Sequence, residues 1–438
     1  MIFGKYTAIA GAVAVAVLWP FATGQIGQSV YDREIEEVQS RYISVENESY
    51  DRGYLSSEVV TRVSLVGGMK EVYEEEGLPT SYSVTSHVSH GFMGVSTTST
   101  LDMTPDMKVI TDLLWPSGES PVTVVTETSV FGDTQYDVTV RAMNGGNEEI
   151  KITSSPANIS GTVDKNGVML FQMEMPSLEL SSPEGETFNL TEITGSGNGE
   201  LVDDVWVGAQ SLNIGTSAFN DAFGSAATIS QLGLSVSNAL SAIDNGDVKT
   251  ALPDALRFDN STVISFNKLD VPDTLVIDNF KVGVNFNALD YNSMIALANT
   301  ADSMGAEPAP EDMMKLQTVF DGLVEKGMTF EITPLELDTP EGNINAKFDL
   351  SIEPGLGSVT QNMGALMSKL KGNIFVNVPT AYVQGIPEVE ASLANIESYG
   401  FVSQAENGVT LTAKIEGDQL VSPNGEKIPL GLLMMLFM

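Results

Sequence analysis

Ala226-Ala227-Thr228-Ile229-Ser230-Gln231-Leu232-Gly233-Leu234-Ser235-Val236-Ser237-Asn238-Ala239-Leu240-Ser241-Ala242-Ile243 is the stretch on which the fold turns. Ile229, Leu232, Val236, Ala239 and Ile243 recur at helical spacing and would share one helix face. Within the same stretch, Leu232-Gly233-Leu234-Ser235-Val236-Ser237 alternates apolar with small or polar residues at the period of a strand. Periodicity alone leaves both readings open.

Upstream the signal is β. Val59, Thr61, Val63 and Leu65 would share one strand face, with Glu58, Arg62 and Ser64 on the other and Val60 breaking the polar side. Val122-Thr123-Val124, Tyr136 to Val140 and Val168 to Met173 continue it, punctuated by Asn144-Gly145-Gly146-Asn147 and Lys165-Asn166-Gly167. One turn unit recurs as Leu180-Ser181-Ser182-Pro183-Glu184-Gly185-Glu186, Leu337 to Asn343 around Pro340-Glu341-Gly342, and Leu420 to Glu426 around Pro423-Asn424-Gly425. Proline presets φ and glycine supplies a left-handed position, so each is a candidate hairpin tip.

Downstream, helices are expected. Glu311 to Lys326 places Met313, Leu316, Phe320, Leu323 and Val324 on one face, with Gly327 as the C′ residue. Glu388 to Tyr399 does the same with Val389, Leu393 and Ile396, and Asp290 can cap a helix running to about Met304. The expected fold is α+β: β-rich antiparallel sheets with several packed helices, preceded by one N-terminal transmembrane helix. The segments would be 1–24, a signal anchor or signal peptide; 25–48, a helical stalk; 49–207, a β-rich domain; 208–305, a mixed α/β middle; and 306–438, a C-terminal α+β domain.

The start of the chain carries the anchor signal. Lys5 precedes an apolar run from Tyr6 to Thr23, about 18 residues, which as a helix spans roughly 27 Å. Trp19 stands where an interfacial aromatic belongs. Ala22-Thr23-Gly24 is a passable cleavage site, but the run is long for a signal peptide, so an uncleaved anchor is the favoured reading. Lys5 would stay in the cytoplasm and the body would be exported.

Composition bounds the function. The chain has 438 residues, 58 Asp plus Glu against 21 Lys plus Arg, a net charge of −37, and 42% hydrophobic residues. That much apolar content supports a packed core, and that charge argues against any broad nucleic-acid-binding surface. None of the 21 cations lies between Lys165 and Lys249, so the distal body is the anionic part.

With no cysteine, thiolate metal sites and cysteine nucleophiles are excluded. The two histidines, His87 and His90, lie in a strand-like run that would point them to opposite faces. The acidic clusters Glu34-Glu36-Glu37 and Glu74-Glu75-Glu76 lack the staggered oxygens and glycine of a calcium loop and read as solvated faces. No phosphate, dinucleotide or nucleophile-elbow motif appears, so no catalytic residue, metal or cofactor is expected. Nineteen methionines suit either core filling or a deformable apolar groove.

Four stretches carry a resemblance. They are Tyr50 to Ser57, with Arg52, Gly53, Ser56 and Ser57; Ser89-His90-Gly91, followed by Phe92; Leu323 to Leu350, with Pro340 and Gly342; and Tyr399-Gly400-Phe401-Val402 with Asn424-Gly425-Glu426. In these the chain resembles the YdgA-like proteins, a bacterial family of unknown function found mainly in Gram-negative species. Phe92 stands where that family has a proline. The resemblance implies an inner-membrane-anchored or periplasmic protein and supplies no catalytic residues. It also makes the chain distantly similar to the AsmA-like envelope proteins, whose β-rich bodies are associated with lipid movement.

The expected role is non-enzymatic binding of lipid or another apolar ligand. A scaffold that docks an envelope protein through a surface patch such as Leu432 to Met438, and a carboxylate-only hydrolase, are the alternatives. The expected partners are the inner membrane, through the N-terminal helix, and a lipid or envelope protein.

Overall fold

The computed structural model describes residues 43–431 apart from 76, 203–204, 244–247, 249–250, 304–309, 357–362, 385–396 and 406–407. The chain divides into two compact units at Ala226 and Ala227.

The described strands of the first unit are β1 (Ile43–Arg52), β2 (Ser56–Leu65), β3 (Ser81–His90), β4 (Gly94–Leu101), β5 (Val122–Ser129), β6 (Thr134–Val140), β7 (Asn144–Gly146), β8 (Lys151–Ser154), β9 (Ala157–Val163), β10 (Met169–Ser181), β11 (Thr187–Val202) and β12 (Val205–Asn220). All pair antiparallel, in the order β1-β2-β3-β4-β5-β6-β9-β10-β11-β12. The short β7–β8 hairpin joins the far half of β10.

Strict alternation builds the core here. In β2 and β6 every second residue is buried, as period-2 patterning demands when one sheet face is covered. Two helices, α1 (Gly67–Glu75) and α2 (Pro105–Thr111), lend Tyr73 and Met107 to a core with Val45, Val63, Leu65 and Val84. Leu114, Trp115, Val124, Tyr136, Val138 and Ile152 form a second core.

The second unit has β13 (Ala226–Ala242), β14 (Leu256–Val271), β15 (Leu275–Asp290), β16 (Met328–Thr339), β17 (Gly342–Ile352), β18 (Leu370–Val378), β19 (Val402–Ala405), β20 (Gly408–Glu416), β21 (Gln419–Val421) and β22 (Lys427–Pro429). Strands β13 to β18 pair in sequence order and β18 pairs β20; all pairs are antiparallel. Three helices are described: α3 (Tyr291–Ser303), α4 (Pro310–Glu325) and α5 (Met363–Ser368). Asp290 caps α3 as expected: its Oδ2 accepts from the Ser293 amide at 3.0 Å and from the Ser293 hydroxyl at 2.9 Å.

The expected α+β fold with several packed helices is corrected. The described chain is dominated by antiparallel strands, and its helices are few. The stretch at 226–243 decides the matter as strand β13. Gln231, at φ 54°, breaks the two-residue alternation between Ile229 and Leu232, so the apolar spacing there copies that of a helix. Apart from Gln231, the polar and glycine positions of the stretch are Gly, Ser, Asn and Thr, which favour extended backbone or turns over helix. Ile43–Glu48, read as the end of a helical stalk, belongs to β1.

The transmembrane expectation is corrected too. No described helix is long and apolar enough to cross a membrane, so the single-pass inner-membrane anchor with a periplasmic body has no support. Residues 1–42 and the Leu432–Met438 segment lie outside the described residues, as does most of the helix expected over Glu388 to Tyr399.

Candidate functional site

Two features stand out, one in each unit. The first is built from hairpin tips. Between β1 and β2 the chain turns through Gly53-Tyr54-Leu55, where the Gly53 amide donates to the Ser56 carbonyl at 2.8 Å. A Cβ on Gly53 would stand 2.4 Å from that carbonyl oxygen, so only glycine closes this turn. Ser57, the second serine of the motif, is buried, and its hydroxyl lies 2.9 Å from His90 Nε2. The His90 amide donates to the Leu55 carbonyl at 2.8 Å, and Gly91 opens the next tip by donating to Gly94 at 2.9 Å. Arg52, Gly53, Ser56, Ser57, His90 and Gly91 are thus gathered by neighbouring hairpins.

His87, three residues earlier, is exposed on the other face, 3.8 Å from Glu58, as the strand reading requires. No third group of a catalytic triad accompanies Ser57 and His90 among the hydrogen bonds described. The pair pins two strands together. A groove of about 660 Å³ lies beside them, lined by His90, Met93, Glu127, Phe131, Asp133 and Gln135 among others.

The second feature is the face of the long sheet. Val236, Thr262, Val284, Ile332, Phe348, Ile374 and Ala413 stand opposite one another in turn across seven strands. The next row on that face is Leu234, Ile264, Val282, Leu335, Ala346, Val376 and Leu411. Aromatic pairs extend it: Phe286 to Phe330 at 5.0 Å, Phe330 to Phe348 at 5.9 Å, and a stacked Phe266–Phe280 pair at 4.6 Å.

The opposite face is polar in the same register: Ser237, Ser261, Asn285, Glu331, Asp349, Asn373 and Lys414. Near β20 the apolar face is closed over by Phe401, Leu420 and Ile428. Across β13 to β17 it is only half-buried, and Ile264 is 41% and Leu234 37% exposed.

Over residues 5–431 the sequence matches the family model described as a bacterial protein of unknown function, DUF945. The chain belongs to that family. No curated protein and no solved structure matches it.

The other motif positions of this DUF945 chain fall elsewhere. Pro340 and Glu341 form the two-residue tip between β16 and β17, closed by Gly342 opposite Thr339, and the Tyr382 hydroxyl donates to Glu341 at 2.6 Å. That bond holds the Glu341 carboxyl below its ordinary range. Gly400 and Gly425 meet through Asn424: a Cβ on Gly400 would stand 2.3 Å from the Asn424 side-chain nitrogen. These glycines and the proline shape turns and contacts within the second unit.

Sequence reasoning missed a recurrence. The tips at Ser182–Glu186 and Ser422–Glu426 share one geometry with those at Ser129–Asp133, Asp164–Val168 and Asp221–Ser225. In each, the fourth residue is glycine and its amide donates to the carbonyl of the first residue. The first side chain accepts as well: Asp221 Oδ1 takes the Phe223 and Ser225 amides at 2.8 and 2.7 Å. Hydrogen bonds from Ser225 and these amides lower the Asp221 carboxyl, and amides of Val168 and Asn166 lower Asp164. The readable signal was Ser or Asp followed three residues later by Gly, with or without proline.

Proposed function

We propose that this DUF945 protein binds, without catalysing a reaction on it, a lipid or another long apolar chain along the apolar face of β13–β18. The observation that carries the reading is the pair of in-register apolar rows left half-buried while the other face is polar. Uncovered apolar surface costs about 25 cal/mol per Å², so an acyl chain shielding some 200 Å² would gain roughly 5 kcal/mol before the cost of association. The amphipathic sheet gives such a ligand a direction to lie in and no charge to desolvate. The likeness to the YdgA-like proteins, which rests on the stretches around Arg52-Gly53, His90-Gly91, Pro340-Glu341-Gly342 and Gly400 with Gly425, belongs to the same proposal.

The test is mass spectrometry of organic extracts from the purified full chain and from Ile264→Asp and Val284→Asp variants. A charge on the apolar face should strip the co-purifying lipid, whereas Ser261→Asp on the polar face should leave it. The same lipid complement in all four proteins would overturn the reading.

A further inference from the structure

We propose that three hairpin tips at one end of the first unit, at Tyr54-Leu55, Phe92-Met93 and Val130-Phe131, form an apolar ridge that seats in the surface of a zwitterionic lipid bilayer. The register puts them side by side, with Ser56 opposite Ser89, His90 opposite Val95 and Gly94 opposite Ser129, and the polar Asp164–Val168 tip follows as a flank, with Thr134 opposite Val163 and Val163 opposite Met169. Every tip spans two strands, so successive tips are spaced about 10 Å apart and the ridge is roughly 20 Å long.

The apices are apolar. Tyr54 and Phe92 are each 96% exposed, Phe131 is 74%, and Leu55 and Met93 are also exposed. Nothing in the turn chemistry asks for this. The same Ser-x-x-Gly geometry carries Pro-Glu at Ser182–Glu186 and Pro-Asn at Ser422–Glu426.

Three observations favour lipid over protein as the occupant. The apolar side chains stand on separate points rather than on one flat patch, which suits insertion between headgroups. Several tip backbone groups are already paired, which lowers the cost of entering a low-dielectric phase. Gly53 donates to Ser56, Gly91 to Gly94 and Gly132 to Ser129 within tips, and His90 donates to Leu55 and Val130 to Met93 between tips. These last two bonds also make the ridge one stiff object. Charge is the third. In a chain of net charge −37, the tips and their flank carry Arg52 and Lys165 against Asp51, Asp133 and Asp164, and the Lys165 amide donates to Asp133 at 3.3 Å, so the ridge is far less anionic than the chain as a whole. A zwitterionic surface receives it without the repulsion that anionic lipid would exert on the body.

The ridge uses none of the residues on the β13–β18 face, so either proposal can fail without the other. The chain has no cysteine, which allows a single reporter at a chosen place. An environment-sensitive fluorophore is attached to the full chain at Phe92→Cys, at Phe131→Cys, or at Phe223→Cys on a tip at the opposite end of the sheet. Phosphatidylcholine vesicles, with and without a shallow spin-labelled quencher lipid, are then added. The labels at 92 and 131 should shift to the blue and lose about half their emission to the quencher, and the label at 223 should do neither. Tyr54→Ser with Phe92→Ser should abolish the response at 131. No shift at 92 and 131 would overturn the proposal. So would a shift that grows with protein concentration and ignores vesicles, because the occupant would then be a second copy of the chain.

Discussion

Strands β2 and β6 of the first unit bury every second residue, whereas β13, β16 and β17 of the second bury none completely. Both regions alternate apolar with polar side chains. The difference is what lies on the apolar face. In the first, α1 and α2 bring Tyr73 and Met107 down onto Val45, Val63 and Leu65. In the second, the described helices α3 and α4 pack near β14 and β15, and Val324 of α4 packs with Leu356 rather than under Val284 or Ile332. Alternation therefore specifies that a sheet has two chemistries, and only the covering element decides whether the apolar one becomes a core or a surface for something else.

Large-to-small substitution should break this symmetry most visibly. Leu65→Ala empties a fully packed site and should cost about 2–5 kcal/mol, whereas Ile264→Ala should cost less than about 1 kcal/mol. Urea denaturation of the two variants measures both, and equal losses would remove the distinction. A buried phenol sharpens it further. Burial pushes the Tyr136 hydroxyl up to about 12 from an ordinary 10.0. A raised folded value means its contribution is complete below pH about 10 and is lost as pH rises through about 12. Ultraviolet titration should show a late-ionising tyrosine whose appearance coincides with loss of the first unit's near-ultraviolet signal.

Smaller effects belong to the long sheet. Phe280→Leu removes the stack on Phe266 and should cost about 0.5–1.5 kcal/mol by the same urea measurement. The turns come last. Asp221 sits below the ordinary carboxylate range, so its stabilisation is present above that range and fades as pH falls through the lowered value. Carboxyl NMR should place its midpoint below that of a free aspartate, and Asp221→Asn should flatten the acid limb only slightly.

Much of this was legible. The Pro-x-Gly units at Pro183, Pro340 and Pro423 each sit at a hairpin tip, Asp290 caps its helix, and Pro310–Glu325 is helical where Glu311 to Lys326 was expected to be. These are local signals, each settled within one turn of chain. What stayed hidden is non-local. Left-handed residues at Gln231, Asn279 and Ala288 interrupt the strand period without a glycine to announce them. The meeting of Ser57 with His90, 33 residues apart, depends on the pairing of β2 with β3. The apolar rows of the second unit emerge only when seven strands are laid in register.

The most direct measurement is photocrosslinking from inside the sheet. A benzoylphenylalanine replacing Phe266 projects from the apolar face, and one replacing Lys281 projects from the other. Irradiation of the full chain as purified from cells should yield a lipid-sized mass adduct at position 266 and none at 281. Adducts at both positions, or at neither, would contradict binding on the apolar face of β13–β18.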